Sequence, residues 1–107
     1  MHAPRYLTML VVAFALCPSW LVAQNDAASL FKSKCALCHA ENGSGNSPSG
    51  KALKAKDLRS AEIQAKPDSQ IAQVIVNGKN KMPAFGEKLK PEQIQQLVAY
   101  IRQLAKK

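Results

Sequence analysis

The 107-residue sequence predicts a small all-α domain of three to four helices. Apolar residues recur at helical spacing in several stretches, and residues that favour helix ends flank them. No stretch alternates apolar and polar residues for long enough to predict a sheet strand. Hydrophobic residues make up 47% of the chain and charged residues 21%, which excludes both a disordered polyelectrolyte and a polytopic membrane protein.

The first 23 residues differ from the rest and predict a cleavable secretory signal peptide. They hold one charged group, Arg5, and an apolar run over residues 7–16 that is followed by Pro18. Ala23 best supplies the small residue that is needed before the cleavage site. We therefore expect a signal peptide over residues 1–23 and one domain over residues 24–107.

Two alternatives to cleavage remain open. The segment 7–23 could stay as a membrane anchor, although Pro18 interrupts it and it is shorter than the roughly 20 residues that a span needs. Cys17 could carry a lipid, although bulky Leu16 stands where a small residue is expected. Cleavage would leave 84 of the 107 residues and, by removing Arg5, lower the net charge from +8 to +7. A domain this small commonly needs a disulfide, a metal or a cofactor to be stable.

The sequence marks the beginning and end of each helix in this domain. Asn25 or Asp26 can cap a first helix, whose apolar positions follow the helical spacing: Ala27, Leu30 and Phe31. A polar Gly/Ser-rich loop follows over residues 41–50, with a helical turn expected around residues 52–54.

Two longer helices are expected after this loop. The first begins near Pro67-Asp68-Ser69 and ends at Asn77-Gly78. The last begins at Pro91, and the basic residues near its end suit the negative end of the helix dipole: Arg102, Lys106 and Lys107. One apolar stripe runs along it, formed by Ile94, Leu97, Val98, Ile101 and Leu104.

The segment Cys35-Ala36-Leu37-Cys38-His39 has the C-x-x-C-H pattern, the attachment signature of c-type haem. Two thiols at this spacing can each add to a vinyl group of one porphyrin, and the adjoining histidine then reaches the iron. Bacterial haem attachment of this kind takes place outside the cytoplasm, which agrees with the signal peptide. One covalent haem c per chain is therefore the expected cofactor.

Other functions of the two cysteines fit the sequence less well. A thioredoxin-type redox pair requires a βαβ context, but no Val/Ile-rich strand precedes Cys35. A zinc site typically needs four ligands, whereas residues 24–107 contain three Cys or His residues, all in this motif. A structural disulfide between Cys35 and Cys38 would close a small loop and restrain little of the unfolded chain.

Met82 is the expected sixth iron ligand. It is the only methionine in residues 24–107, and it lies in a loop between Gly78 and Gly86 rather than on an apolar helix face. Pro83 restricts the backbone directly after it. A thioether ligand raises the reduction potential of haem iron.

These features resemble the class I monohaem cytochromes c, including the small bacterial and cytochrome c6-like members, over essentially all of residues 24–107. Beyond the haem motif, the similar segments are Asn77-Gly78-Lys79, Met82-Pro83-Ala84-Phe85-Gly86, Leu89, Ile94 and Leu97-Val98-Ala99-Tyr100-Ile101. The resemblance implies a fold wrapped around one covalently attached haem, with terminal helices that cross. It also implies thioether links at Cys35 and Cys38 and iron ligands at His39 and Met82.

Two positions, Ala27 and Pro48, correspond to positions with a structural role in this family. Ala27 stands where the family often has a glycine at the helix crossing, and we expect its methyl group to shift the crossing slightly. Family members often orient the haem-ligating histidine with a proline carbonyl, for which Pro48 is the candidate.

The expected function is outer-sphere electron transfer by an exported carrier, not enzymatic catalysis, because two protein ligands leave iron no open position for substrate. The expected compartment is the periplasm or an equivalent extracytoplasmic or lumenal space. The side chains expected to exclude water from the haem are Leu37, Leu53, Leu58, Ile75, Phe85 and Leu97. Phe31 and Tyr100 are assigned to the helix interface.

The basic surface predicts redox protein partners with acidic docking patches, such as an oxidase, a reductase or a photosynthetic complex. The lysines concerned are Lys32, Lys34, Lys51, Lys54, Lys56, Lys79, Lys81, Lys88 and Lys90, most of which also serve as solvated surface. We expect membrane contact only through partner complexes. Nucleic acid is not expected, because no aromatic residues are interleaved with the basic ones.

Two functions of other classes remain open at this point. One is a haem-based sensor or weak peroxidase in which Met82 detaches, which rapid carbon monoxide binding would favour. The other is a disulfide or interaction module without haem, which a colourless protein would favour.

Overall fold

The structure, a computed structural model, describes residues 2–4, 11–13 and 19–107. Six helices follow one another in these residues: α1 (Ser19–Lys34), α2 (Ala36–His39), α3 (Pro48–Leu53), α4 (Ala61–Gln64), α5 (Asp68–Asn77) and α6 (Pro91–Leu104). The described residues form no strand, only an isolated antiparallel bridge between Lys79 and Met82. The prediction of an all-α fold is confirmed, with α1, α3, α5 and α6 at the predicted helices and with α2 and α4 as additional single turns.

Helix α1 begins earlier than the sequence predicts. It starts at Ser19, so the prediction that Asn25 or Asp26 caps it is wrong. The physical reason is that neither Pro nor Gly occurs between Ser19 and Asn25, so nothing stops the helix short of Pro18. Much of the predicted signal peptide, including residues 5–10 and 14–18, lies outside the described residues. In the part that is described, no helix has the length and apolar character needed to cross a membrane.

Helices α5 and α6 have the predicted limits. Pro67 precedes α5, and Gly78 ends it with its N–H bonded to the Val74 carbonyl. Pro91 occupies the first turn of α6, where the Lys90 N–H donates to Gln93 Oε1 at 2.8 Å. All five residues of the predicted apolar stripe are buried on α6: Ile94, Leu97, Val98, Ile101 and Leu104.

The core is centred where α1 packs against α6. Phe31 from α1 and Leu97 from α6 are each only 1% exposed, and burial of one such side chain contributes about 1.5–3 kcal/mol. The Phe31 and Tyr100 rings lie 5.2 Å apart at 51°, which confirms their assignment to the helix interface. Ala27 is 2% exposed, so the interface closes around its methyl group.

The two short helices α3 and α4 both begin with a serine cap. Helix α3 starts at Pro48, inside the segment that was predicted to be a loop, because Ser47 Oγ accepts the Gly50 N–H at 3.0 Å and proline fits a first turn. Helix α4 was not predicted, since four residues are too few to show a period. Ser60 Oγ accepts the Ile63 N–H at 3.3 Å, and Ile63 is buried.

Arg102 joins the end of α6 to the connection between α4 and α5. Its guanidinium donates to the backbone carbonyls of Gln64 at 3.0 Å and Lys66 at 2.6 Å, and to the Asp68 carboxylate at 2.8 Å. The sequence suggested only a helix-dipole contact for this residue. In the structure, three residues outside α6 accept its donors, so Arg102 fixes how α5 lies against α6.

We expect Arg102→Ala to lower the free energy of unfolding by about 2 kcal/mol, because a charged donor that serves several acceptors is lost. Urea unfolding of the haem-loaded protein, followed by circular dichroism, measures this change. The control is the exposed neighbour Gln103→Ala, which should stay within about 0.5 kcal/mol of the original protein. Equal stability of the two variants would contradict a role for Arg102 in joining the helices.

Candidate haem site

Cys35 lies at the junction of α1 and α2 and continues the helical hydrogen bonding of α1. Its N–H donates to the Phe31 carbonyl at 2.8 Å, and its own carbonyl accepts the N–H groups of Cys38 and His39. Cys35 and Cys38 are three residues apart on one helical turn, so their side chains share a face. Both are half-buried free thiols. The structure therefore presents the two thiols side by side, as attachment to one porphyrin requires.

The environment of Cys35 does not suit disulfide exchange. Burial, and to a lesser extent the nearby Cys38, raises the pKa of the Cys35 thiol to about 11. Thioredoxin-type cysteines have the opposite property, a lowered pKa that provides the thiolate nucleophile. Cys35 also packs against the buried core. The burial of Cys35 therefore disfavours a redox C-x-x-C pair.

The His39 ring is held by a backbone carbonyl. Nδ1 lies 3.0 Å from the carbonyl oxygen of Lys56, and since a carbonyl only accepts, Nδ1 carries the proton. The remaining lone pair of the ring is then on Nε2, the arrangement found in metal-ligating histidines. The acceptor is Lys56, so the prediction that Pro48 orients His39 is wrong. Pro48 is exposed in the first turn of α3, and it is the chain after α3 that passes beside His39.

Gly45 allows the Lys56 carbonyl to come close. Its N–H donates to the His39 carbonyl at 2.7 Å, and its φ is +76°. A Cβ at this position would lie 2.6 Å from the Ala55 oxygen and 3.1 Å from the Lys56 oxygen. The Lys56 carbonyl, which accepts the His39 hydrogen bond, can therefore lie this close only because residue 45 has no side chain. The sequence predicted a polar Gly/Ser-rich loop here, and it did not show that the carbonyl of Lys56 would face the histidine.

Ser47 hydrogen-bonds to the backbone at the C-terminal end of α2. Its Oγ lies 2.7 Å from the Leu37 carbonyl and 3.0 Å from the Cys38 carbonyl, and either of them can accept the hydroxyl proton. These contacts satisfy carbonyls at the end of α2 that have no helical partner. Helices α2 and α3 consequently pack together around the C-x-x-C-H motif.

Leu37 and Leu53 are the two exposed members of the set that was expected to exclude water from the haem. In the polypeptide alone, Leu37 is 74% exposed and Leu53 is 42% exposed. Attached haem would itself cover the side chains that face it, so the contact of these two with haem stays a prediction. Leu37 follows Cys35 by two residues on a helical turn, which places it on the face away from both cysteines. The other four side chains of that prediction are buried: Leu58, Ile75, Phe85 and Leu97.

Met82 lies in a tight turn after α5. Lys79 and Met82 exchange backbone hydrogen bonds at 3.1 and 2.9 Å, and Asn80 between them has a left-handed φ of 54°. The Met82 side chain is half-buried and packs against the same core cluster as Cys35. The structure thus brings the first residue of the haem motif and the predicted thioether ligand onto one apolar cluster.

The donor set fits haem better than a bare metal ion. Within the described residues, no group of three or more His, Cys, Asp or Glu side chains is arranged to hold a metal. A porphyrin supplies four nitrogen ligands itself, so one histidine and one thioether complete its coordination. His39, with Nδ1 already bonded, and the half-buried Met82 are of the required kinds.

Comparison with known proteins identifies the family. A family model described as "Cytochrome C oxidase, cbb3-type, subunit III" matches residues 22–101. The cytochrome c6 of Aphanizomenon flos-aquae is 43% identical over 79 residues, which cover 73% of this chain and 86% of that protein. The chain belongs to the class I monohaem cytochromes c.

Other members of the family agree with this assignment. The cytochrome c6 of Nostoc sp. is 43% identical over 76 residues, which cover 71% of this chain and 66% of that protein. The solved structure of the KustC0563 c-type cytochrome superposes with a TM-score of 0.68 at 33% identity, covering 74% of this chain and 96% of that one. As a cytochrome c, the protein carries covalently attached haem c and transfers electrons.

We expect Gly45→Ala to weaken the hydrogen bond between His39 Nδ1 and the Lys56 carbonyl, because the added methyl displaces the carbonyls of residues 55 and 56. Exchange of the Nδ1 proton with solvent, followed by nuclear magnetic resonance of the haem-loaded protein, should become faster. Gly43→Ala is the matched control. Its φ is +80°, but its Cβ would meet only Leu58 and Leu104 side chains.

Both substitutions carry a similar backbone penalty of roughly 1–2 kcal/mol for a left-handed alanine. Only Gly45→Ala should change the exchange of the His39 proton. The same exchange rate in both variants would show that Gly45 does not hold the Lys56 carbonyl in place.

Proposed function

We propose that the protein is an exported carrier that shuttles single electrons between redox partners, with its haem linked to Cys35 and Cys38 and its iron bound by His39 and Met82. The observation that supports this most directly is the hydrogen bond from His39 Nδ1 to the Lys56 carbonyl at 3.0 Å. It fixes the tautomer and orientation of the ring and leaves Nε2 as its metal-binding atom. Membership of the family implies the haem cofactor, and this hydrogen bond supports His39 as one of the iron ligands.

The chain controls electron transfer through the two ligands and the core around them. The carbonyl of Lys56 makes the His39 ring more basic, which favours ferric iron, whereas the Met82 thioether favours ferrous iron and raises the potential. The haem supplies the one-electron redox couple when bound. With His39 and Met82 both bound to the iron, the haem would offer no open position to a substrate and would serve only to exchange single electrons with partners. The buried Phe85 and Ile75 restrict water near the Met82 loop.

The proposed compartment is the periplasm or an equivalent extracytoplasmic space. The support is the leader over residues 1–23, with Arg5, an apolar run and the small residue Ala23 before the expected cleavage site. Mass spectrometry of protein from the periplasmic fraction tests this. A mass that corresponds to residues 24–107 plus one haem supports the proposal. Absence of the haem protein from this fraction and from the membranes that face it contradicts the compartment, whereas a retained or lipidated N-terminus contradicts only cleavage after Ala23.

The proposed partner is a redox protein with an acidic docking patch around an apolar centre. Leu37 and Leu53 are exposed on α2 and α3, which pack together next to the haem motif. Lys34, Lys51 and Lys54 adjoin these helices, and none of them takes part in the ion pairs of the described residues. We call these five residues the α2–α3 docking surface. Its composition suits the apolar centre and charged rim of a transient complex.

Haem attachment and ligation can be tested together. Haem should stay with the protein on a denaturing gel, remain with Cys35→Ala or Cys38→Ala through the other link, and be lost from the double variant. Met82→Ala should lower the reduction potential and let carbon monoxide bind rapidly to the ferrous form, because a thioether ligand is removed. The exposed neighbour Lys81→Ala is the control and should behave as the original protein does.

The results distinguish the proposal from the alternatives. Loss of haem from the original protein on denaturation would contradict covalent attachment at the two cysteines. Rapid carbon monoxide binding by the original ferrous protein would instead favour a sensor or weak peroxidase with a displaceable Met82.

The docking surface predicts a salt-dependent reaction with acidic partners. Lys34→Glu combined with Lys51→Glu should slow electron transfer to a soluble acidic redox protein roughly tenfold at low ionic strength. The difference should shrink as salt is raised, because the Debye length falls to about 3 Å at 1 M. Lys106→Glu combined with Lys107→Glu, beyond the end of α6, changes the net charge by the same amount at a site distant in sequence and should have a smaller effect. Rates that do not depend on salt would contradict electrostatic docking.

A further inference from the structure

The loop of residues 78–86, which we call the Met82 loop, folds back onto the end of α5. The Phe85 N–H donates to the Ile75 carbonyl at 2.9 Å, and the Gly86 N–H donates to the Val76 carbonyl at 3.1 Å. Backbone hydrogen bonds therefore hold the C-terminal side of the loop on α5 and close the turn between Lys79 and Met82. No side-chain hydrogen bond of the described residues involves Met82. The position of Met82 depends on how closely this backbone can fold.

Gly78 is the residue at which the fold-back is closest. Its φ of 73° and ψ of 172° lie in a region that is essentially restricted to glycine. A Cβ at this position would lie 2.6 Å from the Met82 oxygen, 2.9 Å from the Ala84 nitrogen and 3.0 Å from the Pro83 carbonyl carbon. All three are backbone atoms and cannot rotate away as a side chain can. A side chain at residue 78 would therefore have to move the backbone that carries Met82.

The other glycines do not share this relation. A Cβ on Gly43 would meet leucine side chains, and one on Gly45 would meet the carbonyls of residues 55 and 56. One on Gly50 would meet the carbonyls of residues 38 and 45, and one on Gly86 would meet Val76. Of the five glycines in the chain, only Gly78 packs against the backbone of Met82. Steric pressure at this position would act on the thioether ligand and not on His39, whose hydrogen bond is formed by residues 39 and 56.

We propose that Gly78 is the positioning residue that keeps Met82 on the iron, and that its replacement by alanine opens the sixth coordination position while His39 and the thioether links stay in place. The inference rests on the proposed function, in which Met82 is the axial ligand. It adds a structural reason why the bond between the Met82 sulfur and the iron would be maintained: the backbone of residue 78 lies close to that of residues 82–84.

The test compares Gly78→Ala with Gly43→Ala in the haem-loaded protein. Both replace a glycine of positive φ, +73° and +80°, so both substitutions carry a backbone penalty. In Gly78→Ala we expect loss of the sulfur-to-iron charge-transfer absorption of the ferric form. We also expect carbon monoxide to bind the ferrous form at least about tenfold faster, the size of effect typical when support of a metal ligand is removed. Gly43→Ala should keep the absorption and the slow binding.

The Met82→Ala variant separates failure of this inference from failure of the proposed function. If Met82→Ala leaves the absorption unchanged, Met82 is not the ligand and both proposals are overturned. If Met82→Ala abolishes the absorption but Gly78→Ala leaves it intact, only the role of Gly78 is overturned. If Gly43→Ala loses the absorption as well, the effect is general destabilisation and the inference is also overturned.

A second variant is available if Gly78→Ala does not accumulate. Gly86 lacks the left-handed φ, and a Cβ there would lie 2.8 Å from the Val76 Cγ1 and 3.0 Å from the Val76 oxygen. Gly86→Ala displaces the loop at Val76 and not at Met82, so it tests the premise on which the inference depends, that the close fold-back of the loop on α5 holds Met82 in place. Carbon monoxide binding should become faster, and adding Val76→Ala, which removes the side-chain contact, should restore part of the original slow binding. Unchanged binding in Gly86→Ala would contradict that premise and overturn the inference.

Discussion

The packing of α1 against α6 is the contact on which the other elements depend. Phe31 and Leu97 are its most deeply buried side chains. Cys35 follows α1 directly and still bonds to the Phe31 carbonyl, so the direction of α1 determines where the haem motif begins. At the end of α6, Arg102 binds the connection that leads into α5, and α5 carries the Met82 loop. Helix α6 therefore positions both halves of the site.

The two proposed iron ligands are held in different ways. His39 is part of a helical turn, its ring bonds to the Lys56 carbonyl, and its own carbonyl accepts the Gly45 N–H. Met82 has only the backbone contacts of a tight turn and the packing of its side chain against the core. Three contacts hold His39 in place, whereas Met82 depends on a loop in which Gly78 has a φ of 73° and packs against the backbone of residues 82–84. A carrier must keep both ligands, so the Met82 loop is the part of the site most sensitive to small changes.

The sequence was sufficient to predict α5, α6 and the buried stripe on α6, because proline, glycine and apolar spacing mark these helices locally. It also predicted the haem motif, because C-x-x-C-H is contiguous. It did not predict Lys56 as the partner of His39, because any residue type can supply a carbonyl and only the path of the chain decides which one. The start of α1 was missed for a related reason: Asn25 is a suitable cap, but a cap residue does not end a helix whose preceding residues also favour it.

Over the part of the chain that the structure describes, the positive charge of the protein surface lies mainly on lysines that form no ion pair. In the described residues, Glu41, Glu62, Asp57 and Asp68 pair with Lys32, Lys56, Arg59 and Arg102. The Arg59 side chain lowers the pKa of the Asp57 carboxyl by hydrogen bonding, so this carboxylate stays ionised. Exposed pairs of this kind contribute little to stability. Their larger effect is on the electrostatic field: they neutralise one another, so that lysines outside these pairs, including those of the α2–α3 docking surface, carry the excess positive charge. A negatively charged partner would be attracted by that excess, and part of it lies beside the exposed Leu37 next to the haem attachment site.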